Sequence, residues 1–316
     1  LRCAMSDFLI AVCGATASGK TELGIRLAKR FSGEIVSCDS MQIYKGLDIG
    51  TAKPSGAELA AAPHHMIDIA EPTENYSVNR FVTEAGKAVE DILSRGKIPV
   101  LVGGTGLYME NIINRTEFTA PMRDESYSAE LERFARENGN GALFEMLRAV
   151  DPVQAGKLHE NDVKRVIRSI ETVHLTGKTR SELDEMSKNG KKPYKCIYFA
   201  IDMEREKLYN RINGRVDEML RAGLLDELKS RVLPLRGQMP TAMQAIGYKE
   251  LIGYTDGLCS YDEAVQLLKR NTRRYAKRQL TWLRHIENVN WLPCEDAFSQ
   301  AVKITEERIK QYETAD

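Results

Sequence analysis

Phe8-Leu-Ile-Ala-Val-Cys-Gly-Ala-Thr-Ala-Ser-Gly-Lys-Thr21 is the stretch that decides the fold. Its first six residues are a short, continuous apolar run that meets Gly14 at once, which predicts a parallel strand buried on both faces. Gly14 to Thr21 match G-x-x-x-x-G-K-[ST], followed by a helix predicted over Thr21–Phe31 from the spacing of Leu23, Ile25, Leu27, Ala28 and Phe31. Glycines let the backbone bend so that successive N–H groups converge on phosphate oxygens. The helix N-terminus adds positive potential, Lys20 a point charge and Thr21 a hydroxyl suited to Mg²⁺. Gly14, Thr16, Ala17, Ser18, Gly19, Lys20 and Thr21 form the expected phosphate-binding set. The pattern implies that a phosphate binds without saying which one, and ATP is the usual occupant of such a loop.

Working outward, Glu34–Ser37 reads as a second strand, Ser77–Gly96 as a helix, and Ile98–Val102 as a third strand ending in Gly103-Gly104. Strand, helix, strand, helix, strand is the pattern of a parallel α/β sheet. From Asn114 to Lys192 no strand is predicted; helices are expected over Glu125–Glu137, Ala142–Ala149 and Asp162–His174. Strand texture returns at Lys195–Ile201, followed by helices over Leu208–Ala222, Tyr261–His285 and Phe298–Gln311, with a last strand at Val289–Leu292. The expected architecture is a P-loop NTPase-like parallel sheet flanked by helices over 5–113 and 194–316, with a helical insertion domain over 114–193.

Length and composition agree. The 316 residues allow two domains, or one with a sizeable insertion, at ~150 residues each. With 42% hydrophobic and 28% charged residues, a disordered, collagen-like or simple coiled-coil chain is excluded. Lys+Arg and Asp+Glu are both 45, so a chain basic all over is excluded, but a basic patch offset elsewhere is not. The longest apolar runs fall far short of the ~18 residues of a membrane span. Leu1–Asp7 has no signal-peptide core, and a start at Met5 is expected. The six cysteines are scattered without a C-x-x-C pair, which points away from zinc and disulfides and toward a reduced, cytoplasmic setting.

Three further features carry chemistry. Asp39 follows the second strand, and ligands of open parallel sheets sit at the carboxyl ends of strands. It is expected to face the phosphate loop from a neighbouring strand, where a carboxylate can accept a proton; from position alone, capping a turn with Ser40 or joining a metal shell is as good a reading. Gly103-Gly-Thr105-Gly106 ends the third strand without the Asp that commonly supports Mg²⁺ in NTPases. From Ala264 to Ile286 there is no acid, while Arg273, Arg274, Lys277 and Arg278 are among seven basic residues with Tyr275 and Trp282 interleaved. That is an electrostatic footprint for RNA backbone, or one solvated face of a packed helix. His64-His65, with no companion ligand, reads as structural.

Taken together, the motifs resemble those of the tRNA dimethylallyltransferases of the shorter, bacterial type. The matching segments are Gly14–Thr21, Asp39-Ser-Met-Gln-Ile-Tyr44, Asp48-Ile-Gly-Thr-Ala-Lys-Pro54, His64-His-Met-Ile-Asp68, Gly103–Tyr108, Asn161-Asp162 with Arg165, Arg168 and Glu171, Arg215-Val with Met219, Gln244-Ala-Ile-Gly-Tyr-Lys-Glu250, and Thr272–Arg284. They run in family order over nearly the whole chain; the shorter type without the eukaryotic C-terminal zinc finger is expected, and Met41 and Gly106 fall at positions read as variable.

The resemblance implies prenyl transfer from dimethylallyl diphosphate to N6 of the adenosine 3′ of a tRNA anticodon. The phosphate loop then holds the donor's diphosphate rather than ATP. Asp39 would be the general base, Thr105 would hydrogen-bond near the amine, and Arg215 would join Lys20 on the diphosphate; without the resemblance, Arg215 reads as a solvated helix residue. Ser18 and Thr21 would support Mg²⁺. Asp39, Ser40, Met41, Gln42, Thr105, Gln244, Lys249 and, in the insertion domain, Lys164, Arg165 and Arg168 would contact the anticodon stem-loop. A monomer without membrane attachment is expected. The rival readings are an ATP-dependent nucleoside or metabolite kinase, an adenylate isopentenyltransferase, and a non-catalytic RNA-binding protein.

Overall fold

A computed structural model of the protein describes residues 7–116, 124–188 and 193–315. Strands β1 (Phe8–Cys13), β2 (Glu34–Cys38), β3 (His64–His65), β4 (Pro99–Gly103), β5 (Lys195–Asp202) and β6 (Val289–Pro293) form one sheet in the order β3-β2-β4-β1-β5-β6. Every pairing is parallel; Ile10 pairs with both Val100 of β4 and Ile197 of β5. Every residue of β1 and β4 is buried, which explains why their apolar runs are unbroken rather than alternating.

The chain divides into two compact units. In the unit formed by Leu1–Ile113 and Pro193–Asp316, the sheet is accompanied by α1 (Lys20–Arg30), α2 (Gly56–Ala61), α3 (Val78–Ser94) and α4 (Gly106–Ile113). In the second unit, Asn114–Lys192, lie α5 (Glu125–Asn138), α6 (Asn140–Val150), α7 (Pro152–Ala155), α8 (Val163–Thr176) and α9 (Arg180–Lys188). The first unit resumes with β5, α10 (Arg205–Arg221), α11 (Leu224–Glu227), α12 (Tyr248–Thr255), α13 (Tyr261–Leu283), β6 and α14 (Ala297–Ala315). Backbone continuity across the excursion is closed by a hydrogen bond from Tyr194 N to Ile113 O at 2.9 Å. The excursion has its own core of Leu131, Leu143, Leu147, Val166, Ile167 and Ile170. Its buried Glu171 accepts from Asp124 N, Ser128 Oγ and Arg168.

The sheet core joins Ile10, Val12, Val100 and Phe199 to Leu23 and Leu27 of α1 and Ala301 of α14. Each large side chain buried there contributes about 1.5–3 kcal/mol. β3, α2, α4, α7, α9, α11 and α12 were not anticipated. β3 has two residues, too few for a periodic signal, and α4 starts inside a glycine cluster that read as a turn. One expectation is corrected: β2 is not the neighbour of β1, because β4 lies between them. The start expected at Met5 falls outside the described residues. Among the described residues no helix is long and apolar enough to cross a membrane.

Candidate active site

The segments that follow the carboxyl ends of β1 and β2 line a cavity of about 260 Å³, and the end of β4 lines a smaller pocket beside it. Thr16, Ala17 and Lys20 line it from the phosphate loop, and Asp39, Ser40 and Met41 from the end of β2. Ile212, Arg215, Val216 and Met219 line it from α10, and Leu268, Thr272, Tyr275, Arg278 and Gln279 from α13. A smaller adjoining pocket of about 50 Å³ shares Thr16, Lys20, Asp39 and Arg215 and adds Thr21, Gln42 and His64.

The loop is built as the sequence requires. Gly19 sits at φ 99°, a left-handed conformation open to glycine, and α1 begins at the next residue. Lys20 Nζ lies 3.4 Å from the Ala15 carbonyl. Burial, and then the Arg215 charge, pushes Lys20 down to about 8, with Asp39 opposing. Arg215 is held below its ordinary range by burial while Asp39 pulls the other way, and its Nη2 reaches Ala52 O at 3.4 Å. A guanidinium stays charged under such a shift. Two cations therefore face one carboxylate across the cavity.

Asp39 does two things. Its Oδ1 accepts from Met41 N at 2.9 Å, the turn-capping contact, which leaves Oδ2 without a hydrogen-bond partner among the described residues. Thr105 Oγ1 is buried without a full hydrogen bond, and the Tyr275 phenol is its polar neighbour. Burial, then the Asp39 charge, pushes Tyr275 up to about 12, so it stays a neutral phenol at physiological pH.

The wall between Leu47 and Pro54 explains a motif that carries no chemistry of its own. Glu227 accepts from Asp48 N, Ile49 N and Gly50 N at 2.8, 2.9 and 2.8 Å and from Tyr248 Oη at 2.7 Å. Three successive N–H groups around one carboxylate form a nest. Lys53, 5% exposed, donates to Tyr44 O, Asp48 and Asp68, tying the Asp48–Pro54 and His64–Asp68 motifs together. Gln42 Nε2 then bonds the Ala52 carbonyl at 3.1 Å. His65 Nε2 pairs with buried Glu34, and His64 Nδ1 bonds Ala62 O.

Not every expected residue joins the cavity. Ser18 Oγ is buried without a partner, but Ser18 lines a separate cavity with Gly19, Lys207 and Arg211, so it does not share a pocket with Thr21. Gly14 packs behind the loop, near Gly104 and Trp282. Gln244, Lys249 and Arg278 line the cavity and are exposed, which places them at its rim. Arg274 and Lys277 are exposed on α13. Arg273 is instead bonded to Asn213 Oδ1 at 2.6 Å and lies over the Tyr209 ring, because its helix face turns toward α10. Lys164 and Arg165 are exposed on α8, and Arg168 pairs with Glu171 in the second unit. Gly106 is not free to vary here, since a Cβ would stand 2.2 Å from the Trp282 ring.

Sequence reasoning missed two residues. Gln279 Oε1 accepts from Thr16 N at 2.8 Å, and Arg211 Nε donates to Ala17 O at 2.9 Å. Both are far from the loop in sequence and carry no local signal.

A family model described as IPP transferase matches residues 42–286, and one described as isopentenyl transferase matches residues 8–71. A tRNA dimethylallyltransferase of Carboxydothermus hydrogenoformans is 46% identical over 307 residues, covering 97% of this chain and 98% of that protein. One of Acetivibrio thermocellus is 48% identical over 298 residues, covering 94% and 95%. Among solved structures, the full-length tRNA isopentenylpyrophosphate transferase of Bacillus halodurans aligns at TM-score 0.73 and 41% identity, covering 98% of this chain and 99% of that one. A eukaryotic dimethylallyltransferase acting on tRNA aligns at TM-score 0.83 and 30% identity, covering 96% and 80%.

Proposed function

The chain belongs to the IPP transferase family, and on that premise we infer that it transfers a dimethylallyl group from dimethylallyl diphosphate to N6 of the adenosine 3′ of the anticodon in tRNA. The observation that carries this reading is one cavity lined together by the cations Lys20 and Arg215, the carboxylate of Asp39 and the apolar side chains Ile212, Val216, Met219 and Leu268.

The donor's diphosphate lies against the phosphate loop, Lys20 and Arg215. Its allyl tail rests on Ile212, Val216, Met219 and Leu268, where five carbons find only apolar neighbours. The adenine amine is a weak nucleophile, because its lone pair is delocalised into the ring. The N6 lone pair attacks the allylic C1 while the C1–O bond breaks and its electron pair leaves with diphosphate. Lys20 and Arg215 neutralise that growing charge. The amine proton passes to Asp39 Oδ2. Thr105 Oγ1, buried without a full hydrogen bond, supplies the hydrogen bond that holds the amine.

Among the described residues no group of three His, Cys, Asp or Glu could hold a metal. Mg²⁺ keeps waters and substrate phosphate oxygens and takes one or two protein oxygens. The Thr21 hydroxyl beside Lys20 is the group that would hold it, and the ion would add charge neutralisation at the diphosphate.

The adenine must leave its stack to reach the cavity, at a cost of a few kcal/mol that phosphate contacts offset. Arg274, Lys277, Arg278, Lys249 and Gln244 supply such contacts at the exposed side of α13 and the cavity rim. Incubation with labelled dimethylallyl diphosphate and Mg²⁺ tests the reading, with unmodified tRNA in one tube and AMP in another. Label in tRNA alone is expected. Label in AMP would retain the chemistry and discard tRNA; transfer only of a labelled ATP γ-phosphate would overturn the reading.

A further inference from the structure

We propose that Gln279 is a positioning residue that sets the donor's phosphate loop in register with the strand end that meets the acceptor. The inference deepens the prenyl-transfer reading and rests on it.

Gln279 is 6% exposed, and both ends of its amide are engaged. Oε1 accepts from Thr16 N at 2.8 Å, and Nε2 donates to Gly104 O at 3.1 Å. Thr16 belongs to the loop that grips diphosphate. Gly104 directly precedes Thr105, whose hydroxyl lies buried without a full hydrogen bond. One side chain of α13 thus ties the two halves of the reaction together. The fit is close on the far side too: a Cβ on Gly104 would stand 1.9 Å from Gln279 Nε2, so a side chain there would displace the amide.

The chemistry of the amide is specific. Only a group that accepts at one atom and donates at the other satisfies Thr16 N–H and Gly104 C=O together. Methionine fills the space and does neither. Glutamate does both when it is a carboxylic acid, but as a carboxylate it only accepts and faces the Gly104 carbonyl with its charge. Burial raises the pKa of such a carboxyl, which brings the change of state into an accessible range.

Misregister of reacting groups on the scale of 1 Å costs on the order of 100-fold. Gln279→Met is expected to raise KM for the allylic diphosphate about tenfold and to lower kcat by roughly 10- to 100-fold, with tRNA Kd within about twofold of wild type. Gln279→Glu should match Gln279→Met at pH 9. Relative to wild type at each pH, its rate should recover as pH falls toward 6. A residue that only fills space gives no such recovery. Gln279→Met within about threefold of wild type, or the same pH profile for both variants, would overturn the proposal; if Gln279→Met does not fold, the Gln279→Glu profile decides. Should wild type transfer no prenyl group, the reaction reading fails. Affinity for an unreactive thiolo analogue of dimethylallyl diphosphate then tests Gln279 on its own, and equal affinity in both variants and wild type would count against it.

Discussion

Lys20 and Asp39 line one cavity although the strands that lead to them are not neighbours, because β4 runs between β1 and β2. Two strand spacings amount to about 10 Å. That is the backbone spacing between the ends of β1 and β2, and the Lys20 and Asp39 side chains reach from those two ends into the shared cavity.

The charge state of Lys20 should show in donor binding. Its pKa is lowered to about 8 by burial and then by Arg215, and the ammonium is the form that holds a diphosphate. The proton is therefore present below pH 8 and lost above it. KM for dimethylallyl diphosphate should be flat below pH 8 and rise about tenfold per pH unit beyond. In Arg215→Met the plateau should rise and the break move to higher pH, because a like charge is gone. A break that stays in place would show that Arg215 does not act on Lys20.

Thr105 separates stability from activity. Its buried hydroxyl makes no full hydrogen bond, so Thr105→Val removes a polar group that folding leaves unsatisfied. The free protein should be unchanged or more stable by up to about 1 kcal/mol, while kcat falls. Thermal melts beside steady-state rates check this. A destabilised variant with full kcat would mean that the hydroxyl serves the fold.

Glu227 should matter to the cavity wall without touching substrate. Four donors converge on its carboxylate, three of them successive N–H groups. Glu227→Gln turns an amide N–H₂ against one of them and should cost about 2–3 kcal/mol in urea unfolding. A loss under about 0.5 kcal/mol would contradict the nest.

Salt dependence sorts the basic residues of α13. Arg274 and Lys277 are exposed without an acidic partner among the described residues, whereas Arg273 is bonded to Asn213. The double variant Arg274→Ala/Lys277→Ala should reduce the slope of log K for tRNA against log salt by about 1–2. Arg273→Ala should leave the slope near wild type and lower stability instead. The reverse ranking would place the RNA on the opposite face of the helix.

What could be read from the sequence was what is local. β1 begins and ends where its apolar run does, and β2 and β4 shift by a residue or so, because strands buried on both faces have no polar face to confuse them; β5 and the more exposed β6 shift as little. The phosphate loop and Asp39 were legible because their chemistry depends on residues a few positions apart. Strand order was not, since apolar strands pair equally well with several partners, and so Asp39 was set one strand too close. Gln279 and Arg211 lay hidden for the same reason: each meets the loop only through α13 or α10, and neither has a local pattern to mark it. The contacts of Arg273 to Asn213 and Tyr209 were not legible, because net charge along a helix does not say which face turns inward.

In the proposed reaction Asp39 accepts the proton of the attacking amine, and single-turnover prenylation by Asp39→Asn is the decisive test. The amide keeps the contact to Met41 N and cannot take the proton. The chemical step should slow by about 10²–10⁴ while tRNA Kd stays within about twofold. A single-turnover rate within about threefold of wild type would remove Asp39 from the reaction.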